Sequence, residues 1–153
     1  MSILLDRHGQ RLEDHYPELA ADQSVPANQA VLVPWARFGE IPENSKAGLL
    51  LPNTTDVLAL PEAALRLPLL VLEFPSFADG RAYSQASFLL QRRHYPGQLR
   101  ARGQAVVHDQ LNMLRSCGFT QFQLRGDQDI DLCARLLSNQ PSASTLRRFP
   151  SLP

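Results

Sequence analysis

The chain has 153 residues, 44% of them hydrophobic and 20% charged, with 15 acids matched by 15 Lys and Arg. That size and balance describe one soluble globular domain and exclude a disordered chain, a collagen-like repeat and a disulfide scaffold. No apolar run approaches the roughly 20 residues that span a bilayer, and the neutral total gives no signal for nucleic acid or an anionic membrane surface.

Residues 1–28 read as a polar N-terminal arm, with a short amphipathic helix suggested over residues 12–19. Its opening, Met1-Ser2-Ile3-Leu4-Leu5-Asp6-Arg7, reaches charge too soon for a signal peptide, so a cytoplasmic location is expected. Residues 30–33, Ala-Val-Leu-Val, predict a buried strand ending at Pro34. Residues 35–47, with their Gly, Pro and Asn, predict a loop. The run Gly48-Leu49-Leu50-Leu51 predicts a second strand stopped by Pro52-Asn53. Thr54, Thr55 and Asp56 are cap residues. The segment they open contains Pro61, so it is either a kinked helix or a brief strand followed by a helix starting at Pro61.

Leu-Leu-Val-Leu-Glu-Phe at residues 69–74, bounded by Pro68 and Pro75, is the strongest strand signal. A helix is predicted over residues 81–94, a strand over 98–102, a second helix over 104–116 and a strand over 120–124. Gly118 suits a helix C-terminus. Asp127 or Asp129 caps a last helix carrying Ile130, Cys133, Ala134 and Leu137. Residues 140–153, rich in Ser and Pro, predict an irregular tail. The domain proper is residues 29–139. Alternating strands and helices predict an α/β fold with about four or five mostly parallel strands and crossover helices. An open, doubly wound sheet is the first expectation, and a partial barrel arc of βα units the alternative.

In open parallel sheets, sites form beyond the carboxyl ends of the strands. Asp79-Gly80-Arg81 leads into a helix whose first N–H groups and dipole favour an anion, with Ser84 one turn further on. Arg100, Arg102 and Arg125 lie near the ends of the next two strands. If the strands register, these arginines meet Arg81 at one edge, where they suit a small oxyanion or an acidic patch on a partner. The plainer reading is a helix cap at Asp79, a permissive turn at Gly80 and arginines in surface ion pairs. Glu73, an acid in an apolar strand, either pairs with an arginine or marks where that strand emerges.

Fourteen of the 15 bases are Arg, and the charges segregate. Residues 1–75 hold ten acids and five bases, and residues 76–153 five acids and ten bases. The acidic half either neutralises the basic half within one fold or leaves a polarised surface that steers a partner. Cys117 and Cys133 lack metal-ligand spacing, so neither a metal site nor a disulfide is expected. His108 and Asp109, adjacent on a presumed helix, point apart and make no ready dyad. No nucleotide, flavin, haem or iron–sulfur signature appears, and no cofactor is expected.

One stretch is more specific. Phe74-Pro75-Ser76-Phe77-Ala78-Asp79-Gly80-Arg81-Ala82-Tyr83-Ser84-Gln85-Ala86 is followed by Tyr95-Pro96-Gly97-Gln98-Leu99-Arg100-Ala101, then Asp109-Gln110-Leu111 and Arg115-Ser116-Cys117-Gly118-Phe119. These residues resemble the bacterial family called domain of unknown function 934. The likeness extends over residues 28–139. It implies a cytoplasmic protein associated with assimilatory sulfite reduction, a family labelled probable oxidoreductase, with sulfite reductase or its electron donor as the partner. Where that family usually carries Arg on the helix after Ala86, this chain has Ser87 and Leu90. A small carrier or enzyme for a sulfur oxyanion and a plain homo-oligomerising module are the alternatives.

Overall fold

In the computed structural model, which describes residues 2–138, seven strands form one open sheet. In chain order the elements are β1 (Ile3–Asp6), β2 (Arg11–Leu12), β3 (Leu32–Pro34), β4 (Gly48–Leu51), α1 (Glu62–Leu65), β5 (Leu69–Phe74), α2 (Arg81–Gln91), β6 (Gln98–Gly103), α3 (Leu111–Ser116), β7 (Gln121–Leu124) and α4 (Ile130–Ser138). Strands β3 to β7 are parallel, while β1 is antiparallel to both β7 and β2. The α/β class and open, mostly parallel sheet are as expected, but there are more strands than four or five. The extra pair, β1 and β2, lies inside the segment read as an arm. The expected tail at 140–153 lies outside the described residues.

Local chemistry explains most boundaries. Pro61 precedes α1 and Asp56 accepts from the Leu58 N–H, so the cap residues start a short turn at 57–59 and the helix begins after the proline. Helix α2 stops at Gln91, earlier than expected, and His94 then takes a positive φ of 53°. The expected helix over 104–116 is shortened to α3 and a single turn at 108–110. At the far end, Asp129 accepts from the Leu132 N–H and opens α4. Over 35–47 the expected loop contains one irregular 3-10 stretch, Trp35–Glu40.

The strand order is β2-β1-β7-β6-β5-β4-β3, so the five parallel strands follow in sequence without reversal. A doubly wound sheet reverses direction and carries helices on both faces; here the crossovers all step the same way. Leu49, Leu51, Leu70, Leu72, Phe74, Leu99, Ala101, Phe122 and Leu124 face the helices in one core with Ala64, Ala82, Ala86, Leu89, Leu111, Leu114 and Cys133. Alternation along each strand sends Leu50, Val71, Glu73, Arg100, Arg102, Gln121 and Gln123 to the opposite face.

That opposite face is crossed by the N-terminal chain. Leu12 pairs with Leu4 beyond one edge, and Glu18 bridges Leu32 at the other. The six steps from Leu12 to Glu18 reach at most about 22 Å. In a flat sheet the outer strands would stand about 29 Å apart at a spacing of about 4.8 Å. The sheet therefore curls, with residues 13–18 strapped across its concave side and the helices on its convex side. This winding matches the βα arc, left unclosed.

Candidate functional site

The residues expected at one rim fall into two groups. Asp79, Gly80, Arg81 and Ser84 stand where β5 passes into α2, with Gly80 at the N-cap. Asp79 accepts from the Arg81 backbone N–H at 3.1 Å, from Arg81 Nη2 at 2.7 Å and from Asn53 Nδ2 at 2.7 Å. The Arg81 guanidinium and these N–H donors hold the Asp79 carboxyl well below the usual carboxylate range. Ser84 is exposed one turn along. Arg125 follows β7 and folds onto Asp127, with Nε to Oδ1 at 2.7 Å and Nη2 to Oδ2 at 2.9 Å. That pairing lowers the Asp127 carboxyl to about 2. Each rim guanidinium already holds a carboxylate.

Arg100 and Arg102 are not at the rim. Strand β6 runs on to Gly103, which places both arginines within the strand and on the concave face. Register sets Arg100 between Val71 and Gln121, and Arg102 between Glu73 and Gln123. Arg100 is only 1% exposed. Its Nε donates to Gln121 Oε1 at 3.0 Å and its Nη2 to Asp14 Oδ1 at 3.3 Å. The Tyr16 ring covers it, with Cζ 5.9 Å from the ring centroid. Arg100 Nη1 is buried without a hydrogen-bond partner. A buried donor left unpaired costs about 1–3 kcal/mol, so this position departs from the usual satisfaction of interior polar groups.

Arg102 takes two carboxylates, Glu18 from the strap and Glu73 from β5, the latter at 3.4 Å. Glu73 therefore pairs with an arginine, yet burial outweighs that attraction and raises its carboxyl. Between strap and sheet lies a cleft of about 620 Å³, within the size range of small-molecule sites. Arg11, Arg100 and Arg102 line it against Glu13, Asp14 and Glu18.

Asp14, Tyr16 and Glu18 were not among the expected site residues. Their only trace in the sequence is the acidic excess of the first half. Much of the charge split is consumed inside the fold, since Arg93, Arg100 and Arg102 take Glu62, Asp14, Glu18 and Glu73. The neutralising reading of that split is the one these ion pairs follow.

The chain matches the family described as "Bacterial protein of unknown function (DUF934)" over residues 48–143. It belongs to that family. No curated protein and no solved structure gives a significant match. The matched segment of this DUF934 member starts at β4 and takes in both halves of the expected site, while the strap precedes it.

The remaining candidates are quieter. Cys117 and Cys133 are free thiols, and burial raises both, which leaves little thiolate at neutral pH. His108 Nδ1 approaches Asp109 Oδ1 at 3.3 Å, across neighbouring positions of the 3-10 turn at 108–110. Among the described residues, no group of three or more His, Cys, Asp or Glu is placed to hold a metal ion.

Proposed function

We propose that this DUF934 member is an accessory protein of assimilatory sulfite reduction that docks on the reductase or its electron donor. The resemblance in the Phe74–Phe119 region motivates the pathway, and the surface of the helical layer supports the docking. Helices α2, α3 and α4 each turn one large apolar side chain to solvent: Phe88 is 39% exposed, Met113 55% and Leu132 41%. These helices are neighbours. Gly118, just after α3, has Leu90 of α2 directly against it, and α3 packs on α4. Three exposed apolar side chains on adjacent helices suit a partner surface better than scattered ones would.

Charge contributes less than the sequence suggested. Arg81, Arg93, Arg100, Arg102 and Arg125 are tied to carboxylates, so the broad basic face narrows. Arg92, exposed and one turn beyond Phe88, remains on the proposed surface. Electrostatics then act mainly on the rate of encounter, and apolar burial on the lifetime of the complex. Among the described residues no helix is long and apolar enough to cross a membrane, which agrees with a partner met in solution.

The test is co-elution of the tagged full chain with purified sulfite reductase holoenzyme and, separately, with its electron donor. Binding to one of them is expected at low salt. Phe88→Ser combined with Met113→Ser is expected to weaken it at least about tenfold, as for central apolar anchors. Failure to bind either protein would remove the proposal.

A further inference from the structure

We propose that the concave face of the sheet is a concealed binding site for a small dicarboxylate, with the strap's Asp14 and Glu18 as built-in competitors for it. This inference is independent of the docking surface on the opposite side of the molecule. It begins with Arg100, which lines the cleft, whose side chain is 2% exposed and whose buried Nη1 has no hydrogen-bond partner. Burying a guanidinium inside a sheet without filling its donors is unfavourable for folding alone, where an apolar side chain of similar volume serves as well or better. Arg102 lies two residues along the same face of β6, about 7 Å away at the usual rise of a strand.

The groups now on these arginines indicate the ligand's chemistry. Each guanidinium holds one strap carboxylate, Asp14 on Arg100 and Glu18 on Arg102. A planar guanidinium fork is suited to carboxylate, and one molecule with two carboxylates reproduces both contacts. The cleft of about 620 Å³ has room for it.

The strap is built to yield. Glu13, Asp14, His15, Pro17 and Glu18 are all exposed. Its anchor to β3 rests on the Leu32 N–H to Pro17 carbonyl bond and the Leu19 N–H to Leu32 carbonyl bond. Within the strap only Tyr16 packs on the apolar cluster of Leu32, Leu69 and Val71, and a segment with so little buried apolar surface opens at low free energy. With the strap in place the lining charges cancel, three basic against three acidic. When the strap's acids withdraw, Arg100 and Arg102 face only Glu73, and the concave face becomes positive.

The site is tested by calorimetric titration of the full chain with succinate and glutarate, with acetate and inorganic sulfate as comparison ligands. Wild type is expected to bind a dicarboxylate weakly and acetate more weakly still. Asp14→Asn combined with Glu18→Gln is expected to tighten dicarboxylate binding at least about tenfold, because the internal competitor is gone. Arg102→Gln is expected to abolish it, and this partly exposed position keeps the test available should the strap variant fail to fold. No dicarboxylate binding in wild type and strap variant, or equal affinity in both, would overturn the proposal. So would tighter binding of sulfate than of either dicarboxylate.

Discussion

Replacing Gly103 by Ala is expected to destabilise the protein by at least about 2 kcal/mol, read from urea unfolding. Gly103 ends β6 with a φ of +120°, a conformation that L side chains rarely adopt. A Cβ there would stand 2.2 Å from the Phe74 carbonyl oxygen. That oxygen is backbone and cannot swing aside. It also accepts the Gln104 N–H at 2.8 Å, so the glycine permits the close approach that ends the β5–β6 pairing. Because Arg102 immediately precedes Gly103, the strain should also disturb the Arg102–Glu73 pair. A stability within about 0.5 kcal/mol of wild type would contradict this account of the strand end.

The second large effect is in the core. Phe122 is fully buried on the helical side of the sheet, in register with Ala101 on one side and Leu5 on the other. Its truncation to Ala is expected to cost about 3–5 kcal/mol, the loss of apolar burial plus the cavity left behind. A domain of this size has a total stability of about 5–15 kcal/mol, so the variant should unfold at a clearly lower urea concentration. Because Phe122 joins β1 to β7, amide exchange should rise first in Ile3–Asp6. Uniform exchange across all strands would instead mean that β1 is not a separate, weakly held addition to the parallel sheet.

Much of this architecture is legible in the sequence because it is local. Leu69–Phe74 is apolar at every position but Glu73 and fenced by prolines, which is close to how a strand buried on both faces reads. Pro61 marks where α1 begins, and Asp56 the short turn before it. Strands β1 and β2 are not legible in the same way. They have four and two residues, include Asp6 and Arg11, and owe their form to pairing with β7 and with each other. The strap is extended instead of helical because Asp14, Tyr16 and Glu18 answer to groups on β4 to β6 that lie far away in sequence. Tertiary contacts override a weak helical pattern at that length.

The site was half legible for a related reason. Residue types alone placed Asp79 and Arg81 together at the head of α2, since they are two residues apart. Arg100 and Arg102 read as rim residues because strand ends are poorly marked by sequence. Yet the alternation of Leu99 and Ala101 with Arg100 and Arg102 already carried the needed signal. Apolar residues in one phase and arginines in the other assign the guanidiniums to the face that the helices do not cover. The consecutive strand order that keeps all helices on the other face lies outside any local pattern.

Carboxylates of the N-terminal strap are bound to guanidiniums of the sheet. A double-mutant cycle between Asp14→Asn and Arg100→Met, with stabilities from urea unfolding, tests it most directly. Arg100→Met alone should be neutral or stabilising, since it replaces a buried charge with an apolar side chain, whereas Asp14→Asn should destabilise by leaving that charge less well partnered. A coupling of about 1 kcal/mol or more is predicted. Additive effects within about 0.3 kcal/mol would mean that strap and sheet do not hold each other, and would contradict the account.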